Sequence, residues 1–152
     1  MVSRGQNDLK LLKKAQASIP KLAAPVAPAD KATLAKMVNA VIPLAENALK
    51  VAVQLHKDEN ILRALKQKGA TDAQLQKYAD EHMKYRPALL KEVYKISEDL
   101  AKASDLSEKM QKAMKDKKED KLAKELETLT NDLRSVSQEY GTYTRWKEEA
   151  VD

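Results

Sequence analysis

The apolar residues of this chain recur at helical spacing. From Lys31 a broad stripe runs through Leu34, Val38, Val41, Ala45, Ala48, Ala52, Leu55 and Leu62, with Met37, Leu44, Val51 and Leu65 beside it. Steps of three and four put these side chains on one side of a helix, so the stripe predicts a long helix with a wide buried face. A second stripe, from Leu75, Tyr78, Ala79 and Met83 through Leu90, Val93, Ile96, Leu100 and Ala103 to Met110 and Met114, predicts another. The most regular period belongs to Leu122, Leu126, Leu129, Leu133, Val136, Tyr140 and Tyr143, which step alternately by four and three. Such a heptad seam needs neighbouring helices to cover it.

Breaks in the pattern divide the stripes. In "KQKGATDAQ", Gly69 suits the left-handed position after a helix, and Thr71 with Gln74 makes a capping box that opens the next. Pro43 and Pro87 fall inside stripes, where each removes a backbone hydrogen bond and predicts a kink, or at Pro43 a break. Between Met114 and Leu122 the apolar phase slips, because a continuing seam would want an apolar residue where Lys117 and Lys118 stand. This predicts a hairpin bend between Asp116 and Asp120, with one long stuttered helix as the alternative. Folding back there brings Tyr140 toward Val93 and Tyr94, and gathers Tyr85, Tyr143 and Trp146 far from the bend. Gly141 is expected to end the last long helix, leaving "TYTRWKEEA" for a short final turn.

Ahead of these stripes, "LKLLKKAQASI" sets Leu9, Leu12 and Ile19 on one face with lysines around it, and "IPKLAAPVAPAD" follows as a stiff Pro/Ala linker. Asp30 is the expected cap of the next helix. The chain thus divides into a basic amphipathic helix (1–19), a linker (20–30) and a helical bundle domain (31–152). The expected fold is all-α: an elongated antiparallel three-helix bundle kinked at Pro43 and Pro87, with four helices if the N-terminal one docks.

Composition agrees with a helical class. The chain has 152 residues, 43% hydrophobic and 34% charged, with three glycines and no phenylalanine. This is enough for one core and too little loop chemistry for a sandwich or barrel. No cysteine is present, which excludes disulfides and thiolate chemistry and suits a reducing cytoplasm, the favoured compartment, or an exported chain equally well in physical terms. No apolar run approaches the about 20 residues of a membrane-spanning helix.

The net charge of +5 is unevenly spread. Residues 1–21 carry five basic and one acidic side chain, residues 109–124 seven and three, and residues 125–152 three and seven. Basicity is therefore concentrated at the N-terminal helix and the bend, while the C-terminal arm is acidic.

Candidate chemistry is sparse. His56 and His82 fall near one another across the Gly69 turn, yet Ala79 occupies the place where a Glu-x-x-His motif would need its acid, so no metal and no cofactor is expected. Adjacent acids such as Glu98 and Asp99 diverge by about 100° on a helix and stand among lysines three or four residues away, as on a solvated face. The serines have no partnered base and three glycines cannot build a phosphate loop, so no enzyme is expected. Lys115, Lys117, Lys118 and Lys121 could meet phosphates, but Asp116, Glu119 and Asp120 dilute them and no arginine or aromatic joins them. Leu9, Leu12 and Ile19 on the tethered helix, and Trp146 between Arg145 and Lys147, are the candidate partner contacts.

The functional expectation is a non-enzymatic helical interaction protein: an adaptor, chaperone-like factor or assembly subunit whose partner is another protein or a second copy of itself. The alternative is an electrostatic binder of nucleic acid or an anionic membrane surface, using the basic N-terminal helix and the 109–124 tip.

Overall fold

A computed structural model describes residues 3–151; Met1, Val2 and Asp152, which the expected segments include, lie outside the described residues. Six α-helices account for nearly all of the described residues: α1 (Arg4–Ser18), α2 (Pro28–Gln67), α3 (Asp72–His82), α4 (Arg86–Asp116), α5 (Asp120–Tyr140) and α6 (Tyr143–Glu149), with a 3-10 turn at Ile19–Lys21. The all-α expectation holds. The three-helix count does not, because α1 packs on α2 and α5 and becomes a fourth bundle helix.

The reason lies in the spacing of the first stripe. Leu12, Ala15 and Ile19 are buried, and so are Leu22 and Val26 of the linker. A linker that buries two of its own apolar residues folds under the bundle, anchored where the Lys31 ammonium donates to the Leu22 carbonyl at 2.9 Å. The order is up-down-up-down: Gln16 meets Asn39, Asn47 meets Glu92, Ser97 meets Ser137, and Lys14 meets Asp132. One continuous apolar cluster extends from Leu12 to Ala150.

Corrections concern the prolines and a cap. α2 runs through Pro43 without a break; Pro43 is exposed, so water can hydrate the carbonyl it leaves without a donor. At Pro87 the chain breaks outright: α3 ends at His82, and Pro87 stands in the first turn of α4, where its missing N–H is no loss. α2 begins at Pro28 with Ala27 at its cap, so Asp30 lies in the first turn rather than capping it.

The hairpin forms where the apolar phase slips. α4 closes with Glu119 N–H on the Met114 carbonyl (2.9 Å) and Lys118 N–H on that of Lys115 (3.0 Å), the paired bonds of a Schellman motif. Gly69 supplies the left-handed residue of the corresponding turn after α2, with φ +90°; here Lys118 does so, at φ +59°. Between α4 and α5, Ser97 and Ser137 exchange hydroxyl-to-carbonyl bonds of 2.8 and 2.7 Å, and the Ser107 and Thr130 hydroxyls lie 2.7 Å apart. Small polar residues in the seam therefore set the register without leaving a buried hydroxyl unpaired.

Candidate functional site: the arm beyond the bundle core

The bundle core ends at one level. Asp58 is the last buried residue of α2, and Met83 and Leu89 mark the same level on the returning chain. α2 nevertheless continues to Gln67 and α3 returns beside it, so that a two-helix arm projects past the core. From Glu59 to Tyr78 no side chain is buried, and Leu62, Leu65, Leu75 and Tyr78 are only half covered.

Asp58 pins the root of this arm. Its carboxylate accepts the Tyr78 hydroxyl at 2.9 Å, the Tyr85 hydroxyl at 2.8 Å and the Gln54 amide at 3.2 Å. Burial pushes its pKa up, but the bonds from Tyr85, Tyr78 and Gln54, with His82 nearby, outweigh this and leave it below the ordinary 3.8. Burial and the Asp58 carboxylate together push the Tyr85 hydroxyl well up. One charged residue of α2 thus holds both α3, through Tyr78, and the 83–85 corner, through Tyr85.

Two hollows flank this root on one side. A cleft of about 780 Å³ lies between the corner and α6, floored by Leu55, Ala79, Met83, Leu90 and Tyr143. A second, of about 430 Å³, continues along the arm past Leu62 and Leu75 and shares Ala79 and Arg86 with the first. Lys66, Lys84 and Arg86 stand at the rim, exposed and outside every ion pair found among the described residues. Lys147 and Arg63 also reach the rim and share Glu59, at 3.2 and 3.9 Å.

A second polar junction closes the bundle where α1, α5 and α6 meet. Gly5 donates to the Ala150 carbonyl at 3.0 Å, and a Cβ there would fall 2.5 Å from that oxygen and 2.6 Å from Leu49 Cδ1. Arg4 bridges Glu139 (3.4 Å) and Glu149 (2.9 Å). Beneath it Asp8 is buried against Glu139, and Asp8 Oδ2 and Glu139 Oε2 have no donor. Burial first, then the hydrogen bond and charge of Glu139, push Asp8 up to about 9, so the pair holds a proton at neutral pH.

The structure distributes the residues singled out from the sequence as follows. Leu12, Ile19 and Trp146 lie in the chain's own core and Leu9 is half-buried; Trp146 packs on Tyr140 and Tyr143 at ring distances of 5.6 and 6.3 Å, while Tyr85 turns away to Asp58. Lys115, Lys117, Lys118 and Lys121 are all exposed, and none joins an ion pair among the described residues. His82 lies against Tyr78, its ring tilted by 36° at a centroid distance of 4.5 Å, and no three of His, Asp and Glu converge as a metal site among the described residues. Nor is any described helix long and apolar enough to cross a membrane.

The buried roles of Asp8 and Asp58 were missed. Both stand in phase with apolar stripes, Asp8 between Gly5 and Leu12 and Asp58 between Leu55 and Leu62. An acid in that phase is the signal that distinguishes them from acids on the solvated faces. Comparison with protein-family models, curated proteins and solved structures finds no match, so the functional reading rests on this geometry.

Proposed function

We propose that this chain is a non-enzymatic helical interaction protein, an adaptor, chaperone-like factor or assembly subunit that works by helix-to-helix contact. The observation that carries the reading is the arm: two helices continue past the core with their facing leucines half covered. A two-helix seam lacks the third element that would bury it, as a helix-in-groove receptor does before its ligand arrives. The test is affinity capture from native extract on the purified full chain, followed by size-exclusion chromatography of the chain with each recovered protein. A stoichiometric complex, with a partner or with a second copy, is expected; recovery of none overturns the reading.

A second reading has its own support. Two of the four α1 cations lie against acids, Arg4 on Glu139 and Glu149 and Lys14 on Asp132, so the basic N-terminal segment is partly balanced by the acidic C-terminal arm. In the lysine tip Lys112 meets Glu108 at 3.9 Å, while Lys115, Lys117, Lys118 and Lys121 join no ion pair among the described residues, and these four could hold phosphates electrostatically. Retention on heparin or anionic vesicles that disappears in moderate salt, and falls when Lys117, Lys118 and Lys121 become Gln, is the outcome this reading requires.

A further inference from the structure

The geometry points to a particular occupant for the groove beside the arm: an amphipathic helix of another protein, apolar on one face and acidic along its flanks. The inference rests on the interaction reading above and adds the site and the chemistry of the partner. The two hollows adjoin, with Ala79 and Arg86 lining both, and lie one after the other along α3 toward α6. Their floor is apolar, with Leu62, Leu75, Met83, Leu90 and Tyr143. α3 is 11 residues long, so the arm offers about 16 Å of track at about 1.5 Å per residue, room for roughly three helical turns.

Charge selects among helices that could lie there. Five cations border the track, Arg63, Lys66, Lys84, Arg86 and Lys147, against three acids, Glu59, Asp72 and Asp80. Glu59 is already shared by Arg63 and Lys147, and Asp80 accepts from Gln76 at 2.8 Å. Lys66, Lys84 and Arg86 join no ion pair among the described residues, and neither do Asp72 and Asp80; the rim still carries five cations against three acids, so carboxylates on the flanks of an incoming helix find more partners than ammonium groups do.

The probe is a fluorescently labelled synthetic helix with leucines on one face and glutamates elsewhere, set against the same peptide with lysines for glutamates. Anisotropy titration on the full chain should show the glutamate peptide binding roughly tenfold more tightly, the size that a few exposed charge pairs supply. The double substitution Lys84→Glu with Arg86→Glu, at exposed positions that the fold does not need, should abolish that preference with the circular dichroism unchanged. Lys117→Gln, Lys118→Gln and Lys121→Gln together should leave it intact. Equal binding of both peptides, binding of neither, or loss of preference only in the tip variant overturns the inference. A stoichiometric natural partner whose capture ignores Lys84 and Arg86 overturns the groove and leaves the interaction reading standing; peptide binding without any natural partner does the reverse.

Discussion

Asp8 shows how one buried acid can make stability depend on pH in the reverse of the usual carboxylate sense. Its folded-state pKa is raised from 3.8 to about 9, so the folded chain holds a proton that the unfolded chain releases. Stability contributed at this site is therefore whole below the ordinary value and is lost as pH rises toward the folded one. The groups facing Asp8 are Arg4 on its own helix and Glu139 and Tyr140 on α5, and Arg4 is held in turn by Glu149 of α6. Asp8→Asn keeps a donor toward Glu139 without the titration. Urea unfolding at several pH values should find the variant more stable than the parent near pH 8 and much flatter between pH 5 and 8; an unchanged slope would refute the shared proton. Lys118 gives a second expectation at this scale. A left-handed lysine is strained by about 1 kcal/mol relative to glycine, so Lys118→Gly should raise the urea midpoint by an amount equivalent to about 0.5–1 kcal/mol, after the greater chain entropy of glycine offsets part of the gain.

At the scale of elements, α3 is the helix with the least to hold it. Ala79 is its one buried residue, and Asp58 supplies the polar tie through Tyr78 and, at the corner, Tyr85. Asp58→Asn loses the charge and substitutes a donor for one acceptor, leaving one tyrosine hydroxyl unsatisfied, at a cost of about 1–3 kcal/mol. Asp58 has a lowered pKa, so its contribution is present above the ordinary 3.8 and disappears as pH falls below it; the variant should lose that acid limb in a pH-dependent melt. The capping box at Thr71 and Gln74 and the glycine turn were both legible because they are local. The fate of the prolines was not. Local chemistry assigns Pro43 and Pro87 the same lost bond, whereas α2 passes through the first on an exposed face and the second begins a new helix at a corner tied by Asp58. Pro43→Ala should accordingly stabilise α2 by up to about 3 kcal/mol, read as a higher midpoint of thermal unfolding.

For the whole molecule, the bundle class and the 97-to-137 register were legible, since the Leu122-to-Tyr140 seam and the slip at Lys117 constrain how α4 and α5 fold together. The docking of α1 was harder to read, because a proline linker looks like a tether until Leu22 and Val26 are seen to bury themselves. The arm was hidden too, since its leucines continue the same periodic stripes as the core and periodicity does not reveal how many helices cover a seam. Coverage does decide how firmly each segment is held. Amides of α4 between Leu89 and Met110 and of α5 between Leu126 and Val136 lie along stretches of buried side chains and should exchange with solvent only on global unfolding. Those of residues 60–78 have no buried side chain beneath them, and should open through a local event that breaks the Asp58 ties and separates α3 from α2. Hydrogen exchange followed by mass spectrometry should therefore show two tiers, with the arm exchanging orders of magnitude faster than the bundle. In Asp58→Asn the arm should speed up further, and the bundle should shift only by the variant's global loss of stability. Added glutamate peptide should slow the arm selectively if it occupies the groove. Uniform protection across both regions would mean that the half-covered seam is as stable as the core, and that the arm has no need of a third helix.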